Sequence, residues 1–255
     1  MNNEKFTTAT VIDRQNFTEN LARFRFNTDE KIIFTPGQWA SLSTTNSEGK
    51  IIQRPYSIAS IPSDPFIEFC IECVPNGALT PEIWKLQVGD SINIMKKGQG
   101  KFTLQENPDN NAIIMLATVT GIAPFTSMIK ELKSRAGEKP HCLLIHGASS
   151  DKEFGTYNNE LTAIAKEGWL QYIPTVSRPW NCSDWQGETG RVDDIVRKYT
   201  DNKIFNHTST IAYTCGNPQM IESVKGILYR ANFPKEHVIE EKYFFIKSTL
   251  QPTTS

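Results

Sequence analysis

The sequence predicts two domains, an N-terminal antiparallel β-barrel and a C-terminal α/β domain built on a parallel sheet. Residues 6–104 form short strand-like runs separated by turns that contain Gly and Pro, a pattern typical of a barrel or sandwich. After the polar stretch QENPDNN (residues 105–111), apolar strand-like runs alternate with helical patterns, which indicates βαβ units on a parallel sheet. We therefore expect domains at residues 1–104 and 111–255.

The barrel is predicted from a succession of strand candidates with one short helix among them. In chain order the strand candidates are FTTATVIDR, NLARFRFN, QWASLS, FIEFCIEC and VGDSINIM, and the helix lies around PEIWKL. In FIEFCIEC the apolar residues alternate with Glu68, Cys70 and Glu72. A period of two residues indicates a strand with only one buried face, so we expect a half-buried strand here.

The second domain is predicted from strands that are followed by helices. AIIMLA (residues 112–117) is a continuous apolar run, as expected of a strand that is buried on both faces. PFTSMIKELKSRAG then reads as a helix that ends at Gly137. The further elements in chain order are HCLLIHGAS, NNELTAIAKEG, LQYIPTVS, VDDIVRKYT, TIAYTCG and PQMIESVKGILYRANF.

Composition and charge limit the possible classes of protein. The chain has 255 residues, 38% of them hydrophobic and 22% charged, which is enough to bury a sizeable core. Its formal net charge of -1 argues against a nucleic-acid binder. Five cysteines fit reduced thiols, and neither the N-terminal stretch MNNEKFTTAT nor any later one resembles a leader or a membrane span. We expect a soluble cytoplasmic monomer.

Two turns after buried strands are candidate phosphate or ligand sites. LATVTGIAPF (residues 116–125) leads from a strand into a helix, where backbone N–H groups can bind phosphate, although an ordinary βα turn has the same appearance. TCGNPQM (residues 214–220) places Cys215 and Gly216 at a second strand end. Ligands bind at the carboxyl ends of parallel strands, but a cysteine in this position can also be a small buried hydrophobic residue.

Charged residues and cysteines suggest one anion site and no metal site. Arg178 follows a predicted strand and Arg191 precedes a predicted helix, so the two guanidinium groups either converge on a phosphate or remain solvated. Cys70 and Cys73 point to opposite faces of a strand, and the four histidines lack metal-ligand spacing. We therefore predict that the protein binds no metal.

The stretch RPYSIAS, which begins at Arg54, combines a cation, a proline, a phenol and two hydroxyls, unlike a strand that only lines a core. Together with the two turns it resembles the ferredoxin-NADP reductase superfamily, most closely the bacterial ferredoxin/flavodoxin reductases, over residues 8–245. The resemblance implies that Arg54 binds the pyrophosphate of FAD and that Tyr56 packs on the flavin. Pro55 would shape the same surface, and Ser57 would lie near N5 of the flavin.

Other motifs extend the resemblance along the barrel. PGQW (residues 36–39) is similar to an early strand of the family. NGALT resembles a second flavin-phosphate segment, which implies FAD contacts for Gly77, Leu79 and Thr80.

At the C-terminus, EEKYFF (residues 240–245) is similar to an E-x-Y motif followed by an aromatic residue. The resemblance implies that Glu241 lies near the site of hydride transfer and that Tyr243 covers the flavin. Phe244 would be a further FAD contact.

The resemblance also assigns residues to NADP. TGIAP implies that Thr120 and Gly121 contact the pyrophosphate, and CGNPQM implies that Cys215 lies beside the nicotinamide and that Gly216 also contacts NADP. Three further residues are implied to bind the adenosine 2′-phosphate or its surroundings: Ser177, Arg178 and Arg191. The chain departs from the family pattern at Val119, where the loop has a glycine, and at Ser149, where relatives often carry a basic residue.

The function that the resemblance implies is electron transfer between NADPH and a one-electron carrier, ferredoxin or flavodoxin, through FAD. The catalytic set would be Ser57, Cys215, Glu241 and Tyr243. No four-cysteine iron–sulfur pattern is present, so we expect the acceptor centre on a partner. The basic run Lys96, Lys97 and Lys101 either meets such an acidic partner or forms a solvated turn.

Several alternatives remain open at this point. The chain could be an NAD(P)H-flavin reductase or the reductase component of an oxygenase with the same fold. It could also be a flavin-binding subunit without catalytic activity. The sequence leaves open the physiological partner, the direction of electron flow and the choice between NADPH and NADH.

Overall fold

The computed structural model describes residues 4–45, 49–105, 112–202 and 204–242. In these ranges the chain forms one six-stranded antiparallel sheet and one six-stranded parallel sheet. The predicted fold class is confirmed. Tyr243 and Phe244, for which we predicted FAD contacts, lie outside the described residues.

The first sheet curls into a barrel. Its strands are β1 (Phe6–Asn16), β2 (Leu21–Thr28), β3 (Trp39–Thr45), β4 (Ile51–Ser57), β5 (Ile67–Glu72) and β6 (Ser91–Met95), and helix α1 (Thr80–Lys85) connects the last two. The strand order is β4-β3-β6-β1-β2-β5, with antiparallel neighbours throughout. A bridge between Ile58 and Phe69 joins the two outer strands, so the sheet closes on itself.

The second sheet is parallel and carries helices on both faces. Its strands are β7 (Ala112–Thr118), β8 (His141–Ala148), β9 (Leu170–Val176), β10 (Glu188–Thr189), β11 (Thr210–Gly216) and β12 (Val238–Lys242). The helices are α2 (Ile122–Ser134), α3 (Gly155–Ala165), α4 (Val192–Thr200) and α5 (Pro218–Arg230). Helices α2 and α3 pack with one face of the sheet, and α4 and α5 pack with the other.

Helix α2 ends earlier than the sequence indicated. We expected it to continue to Gly137, but its last residue is Ser134 and Arg135 already has an extended backbone with φ -68° and ψ 145°. The side chain of Ser134 donates a hydrogen bond to the carbonyl of Glu131, and the Arg135 N–H bonds to the same carbonyl. These bonds satisfy a carbonyl of the last turn before the glycine is reached.

The strand order of the second sheet creates a crevice. The order is β10-β9-β8-β7-β11-β12, so the chain proceeds from β7 to one side and then returns to place β11 on the other side. At such a reversal, the connections that leave the carboxyl ends of neighbouring strands run in opposite directions, and ligands bind in the space between them. The carboxyl ends of β7 and β11 are therefore the expected position of a ligand site.

Strand β5 differs from the prediction of a half-buried strand. The Glu68 side chain is fully buried and Cys70 is 6% exposed, although both lie on the face that we expected to meet solvent. The second domain covers this face, because the Tyr157 hydroxyl in α3 donates a hydrogen bond to Glu68 Oε1 at 3.2 Å. The Nε of Arg25 donates to Glu68 Oε2 at 2.6 Å, so the buried carboxylate is paired with a cation.

Further polar contacts join the two domains. The Nη1 of Arg23 in β2 donates to the Thr156 hydroxyl at 2.9 Å and to Glu160 Oε1 at 3.2 Å, both in α3. The Ser127 hydroxyl in α2 donates to the carbonyl of Ser60 at 2.6 Å. These bonds hold the barrel against one face of the parallel sheet and its helices.

Candidate functional site

A cavity of about 650 Å³ lies at the carboxyl ends of β7, β8, β9 and β11. The strand ends contribute Thr118, Val119 and Thr120, residues 147–149, Ser177 and Arg178, residues 190–193 and residues 216–220. Glu72, at the end of β5, adds a wall from the barrel. The cavity therefore occupies the crevice that the strand order creates and is bounded by both domains.

Two glycines allow the turns after β7 and β11 to pack directly on each other. Gly216 has φ +126°, and a Cβ at this position would lie 2.2 Å from the Oγ1 of Thr118. A Cβ on Gly121 would lie 2.3 Å from the carbonyl oxygen of Cys215. The Asn217 N–H donates to Thr118 Oγ1 at 2.7 Å, and the Asn217 side chain caps α5. Any side chain at either glycine would force the two turns apart.

The two arginines that the sequence singled out line the same cavity. Arg178 follows β9 and Arg191 is the N-cap of α4, and both are exposed to solvent. Ser149 and Ser177 complete this part of the wall. The structure thus brings together the residues that we assigned to the nucleotide phosphate, whereas their individual roles stay predictions.

Acidic residues in the cavity wall were missed by the sequence analysis. Asp193 lies in the first turn of α4, where its Oδ1 is 3.5 Å from the Nε of Arg191 and accepts no hydrogen bond among the described residues. Glu72 faces the cavity from the barrel, and burial followed by repulsion from Glu153 raises its pKa. In GRVDD, the two acidic residues that follow Arg191 could have indicated that Asp193 lies beside the predicted anion site. Nothing local indicated that Glu72 would face the second domain.

A polar pair spans the seam between the two domains. The Ser57 hydroxyl, at the end of β4, donates a hydrogen bond to Glu241 Oε2 in β12 at 3.0 Å. Burial raises the pKa of Glu241 to about 7, and the hydrogen bond from Ser57 partly opposes this rise. Cys215 is fully buried and is paired in register with Glu241 on the neighbouring strand. Three of the four predicted catalytic residues therefore lie close to this seam.

Two further residues border this polar pair. A Cβ built on Gly100 would lie 3.7 Å from Glu241 Oε1 and 2.9 Å from Nε1 of Trp39. The PGQW motif had placed Trp39 on an early strand without giving it a neighbour at the site. Its position follows from the bridge between Trp39 and Gln99, a long-range pairing that has no local signal.

The RPYS residues form the end of β4, and the cofactor roles that the resemblance implies for them stay predictions. Arg54 is exposed, and its Nη1 donates to the carbonyl of Gln53 at 2.8 Å. Tyr56 is half-buried against Phe69, with ring centroids 6.5 Å apart, and burial raises its pKa. Pro55 lies opposite Ser41 of β3. An exposed guanidinium beside a partly covered phenol can bind an anion next to a planar ring system.

The NGALT segment forms a compact turn before α1. The Thr80 hydroxyl accepts a hydrogen bond from the Val74 N–H at 3.0 Å and donates to the Val74 carbonyl at 3.2 Å. Gly77 closes the turn by donating its N–H to the same carbonyl at 2.8 Å. Leu79 is 1% exposed and belongs to the barrel core that Tyr56 also packs against, so NGALT and RPYS adjoin one cluster.

Two negative findings concern the described residues. No group of three or more His, Cys, Asp or Glu side chains within residues 4–45, 49–105, 112–202 and 204–242 could hold a metal ion. In the same ranges no helix has the length and apolar character needed to cross a bilayer.

Comparison with known proteins matches both domains. Residues 8–103 match the family described as the oxidoreductase FAD-binding domain, and residues 115–226 match the oxidoreductase NAD-binding domain. A flavodoxin/ferredoxin-NADP reductase from Buchnera aphidicola is 34% identical over 212 residues, which cover 80% of this chain and 83% of the relative. The chain belongs to the ferredoxin-NADP reductase family. The predicted resemblance is confirmed.

Two further similar proteins carry the names of an oxygenase-associated protein and of a ferredoxin reductase. The phenol hydroxylase P5 protein of Acinetobacter pittii is 30% identical over 92% of this chain and 65% of that protein. A solved ferredoxin NADP+ reductase from Neisseria gonorrhoeae, with bound FAD and NADP, has a TM-score of 0.81 at 24% identity and covers 94% of this chain and 99% of that one. The reductase is therefore a flavoprotein oxidoreductase that uses FAD and NAD(P)H.

The residues present fit these two cofactors. FAD and a nicotinamide nucleotide are both elongated anions with flat rings, and their recognition requires cations, close backbone and apolar surface. The exposed Arg54 beside Tyr56 supplies a cation and an aromatic surface in the barrel. The cavity supplies Arg178, Arg191 and the backbone of Gly216.

Proposed function

We propose that this reductase transfers electrons between NADPH and a one-electron carrier protein, ferredoxin or flavodoxin. The observation that carries the proposal is the seam where Ser57, Glu241 and the Cys215 strand end meet. Gly216 follows Cys215 in β11 and lines the cavity that contains Arg178 and Arg191. The two cofactor sites are therefore adjacent, which direct hydride transfer between their rings requires.

When FAD is bound, its flavin accepts two electrons as a hydride and releases them singly, which no side chain can do. The chain supplies orientation and a proton site. Because the pKa of Glu241 is about 7, its carboxyl group gains or loses a proton near neutral pH. The Ser57 hydroxyl donates to Oε2 and so favours the carboxylate form of Glu241. Cys215 has a small, fully buried side chain on the neighbouring strand, in register with Glu241.

The arginines support a preference for NADPH over NADH. Arg178 and Arg191 place two permanent cations in one cavity, a suitable arrangement for the additional phosphate of NADPH. Asp193 opposes this preference, because its carboxylate lies 3.5 Å from Arg191 and neutralises part of that charge. A second carboxylate, that of Asp194, accepts a hydrogen bond from the Arg191 N–H at 3.0 Å, so the preference rests on the placement of the two guanidinium groups and not on a net positive charge.

A basic segment beside the seam supports an acidic protein partner. Lys97 and Lys101 are exposed and form no ion pair among the described residues, whereas Lys96 is held by Glu30 at 2.5 Å. The segment also includes Gly100, which adjoins Glu241, and it pairs with the exposed Ile33. An apolar residue flanked by cations suits a small acidic carrier, and charge attraction would increase its rate of association.

The test is rapid mixing in the absence of oxygen. The holoenzyme should lose its flavin absorption on mixing with NADPH, and the reduced enzyme should then reduce an added ferredoxin or flavodoxin. Lys97→Glu with Lys101→Glu should slow the second step at low salt without slowing the first, and Lys85→Glu on α1 serves as a surface control. If the flavin absorption persists with both NADPH and NADH, the chain is a flavin-binding subunit and the proposal is wrong.

A second candidate is the reductase component of an oxygenase. It is favoured by the 30% identity to the phenol hydroxylase P5 protein over 92% of this chain. The two candidates differ in the acceptor that the reduced enzyme prefers. Rapid reduction of an oxygenase iron centre, with slow reduction of both ferredoxin and flavodoxin, would favour the second candidate.

A further inference from the structure

Val119 has a backbone conformation that β-branched residues rarely adopt. Its φ is +46°, and the other described non-glycine residue with positive φ is Asn232. Asparagine tolerates this region, whereas a branched side chain there collides with its own backbone. Val119 also lines the nucleotide cavity, directly after β7. Something in the surrounding structure must hold the residue in this conformation.

His146 in β8 contacts the carbonyl of Val119. Its side chain is fully buried, and its Nε2 lies 3.2 Å from the Val119 carbonyl oxygen. A carbonyl can only accept, so Nε2 carries the hydrogen and donates it. The other ring nitrogen, Nδ1, lies 3.2 Å from the Tyr172 hydroxyl and must therefore accept from it. The ring is also packed edge-on against Phe154, with centroids 4.9 Å apart.

The imidazole is neutral in this environment. Burial lowers the pKa of His146 to about 4, against the opposing effect of its hydrogen bond to Val119. The Tyr172 hydroxyl remains protonated because burial raises its pKa. The chain of donors from Tyr172 through His146 to Val119 thus keeps one direction at neutral pH. A histidine that only fills a core also needs hydrogen-bond partners. Here, however, the acceptor is the carbonyl of the non-glycine residue with positive φ in the cavity wall.

The Ile122 N–H also donates to the Val119 carbonyl within the turn. We propose that His146 is a positioning residue that, together with this N–H, fixes the peptide between Val119 and Thr120 in the orientation a glycine would adopt freely. In a trans peptide the C=O and N–H point in opposite directions, so a carbonyl held toward His146 directs the Thr120 N–H away from it. This orientation would set the turn that contacts the nucleotide. The inference rests on the proposed assignment of the cavity to NAD(P)H.

The test is a double-mutant cycle on the FAD-loaded enzyme. His146→Leu removes the hydrogen-bond donor, and His146→Gln keeps an N–H group on a side chain of similar reach. Val119→Gly places at this position a residue that adopts positive φ without steric strain. KM and kcat for NADPH are measured with ferricyanide as acceptor, together with flavin content. H146L should raise KM about fivefold, the value of one intramolecular hydrogen bond, with kcat and flavin content little changed. H146Q should have a KM for NADPH between those of H146L and the natural enzyme. The double variant H146L/V119G should have nearly the same KM as V119G alone.

Three results would overturn the role of His146. They are an equal effect of H146L in both backgrounds, a KM unchanged by H146L, or losses of flavin and kcat as large as the rise in KM. If H146L does not fold, Tyr172→Phe replaces it, because it removes only the hydroxyl that holds Nδ1. Y172F should then raise KM in the natural background and leave V119G unaffected, and equal effects would overturn the proposal. The natural enzyme tests the proposed function separately, since failure to oxidise NADPH or NADH contradicts that function whatever the variants do.

Discussion

Replacing Ser57 with alanine should shift the pH dependence of flavin reduction upward. Ser57 donates its hydroxyl to Glu241 Oε2 at 3.0 Å, and this bond favours the ionised carboxylate. Burial has already raised the pKa of Glu241 to about 7. In the S57A variant burial acts without the opposing hydrogen bond, so Glu241 should remain protonated to higher pH.

The size of the shift follows from the strength of that bond. A hydrogen bond to a charged group contributes about 1.5–3 kcal/mol, and 1.36 kcal/mol corresponds to one pH unit. Since the protonated carboxyl group keeps part of the interaction, the midpoint should rise by about one pH unit. Glu241→Gln should abolish the inflection, because an amide does not titrate in this range.

The assay is the rate of flavin reduction by NADPH in anaerobic stopped flow across pH 5.5–9.5. The natural enzyme should show an inflection near pH 7, where Glu241 changes from the protonated form to the carboxylate. Ser134→Ala, at an exposed hydroxyl at the end of α2, is the matched control and should leave the profile unchanged. Coinciding midpoints for S57A and the natural enzyme, or an inflection that persists in E241Q, would refute this reasoning.

Three further predictions concern cofactor binding and domain association. Arg54→Ala should weaken FAD binding about tenfold or more, since a charge-assisted hydrogen bond is lost, and an unchanged Kd for FAD would show that Arg54 serves elsewhere. Arg178→Ala and Arg191→Ala should each raise KM for NADPH more than KM for NADH, and equal increases would assign them to the shared part of the nucleotide. Glu68→Gln should lower the Tm by about 6–20 °C, because breaking a buried ion pair costs about 3–5 kcal/mol. Glu82→Gln, at an exposed pair in α1, should change the Tm by no more than about 2 °C, and similar shifts for both variants would contradict the structural role of Glu68.

The prediction for strand β5 failed for an instructive reason. Alternation of Glu68 and Glu72 with apolar residues correctly indicates a strand, because the period of two is a local property of an extended chain. The same alternation cannot tell whether the polar face meets solvent or another domain. Glu68 is buried because Arg25 and Tyr157 provide a cation and a hydroxyl for its carboxylate. Those partners come from β2 and from α3, so no window of sequence around Glu68 contains them.

The fold class and the family could both be predicted from the sequence alone, together with candidate segments for cofactor binding. RPYS, TGIAP and CGNPQM are short segments, so their residue types can be compared with those of a known family without any knowledge of the fold. The alternation of apolar runs and helical patterns likewise reports local periodicity, so a barrel and a parallel sheet could be predicted without any long-range information.

Which of these segments meet, and in which protonation state and conformation, could be read only from the folded chain. It paired Ser57 with Glu241 across 184 residues and raised the pKa of that carboxyl group by burying it between domains. It also showed that Val119 adopts a glycine-like φ with its carbonyl held by His146. Burial, pKa and backbone strain depend on atoms that distant segments bring to one place, and a linear sequence does not specify that proximity until the chain has folded.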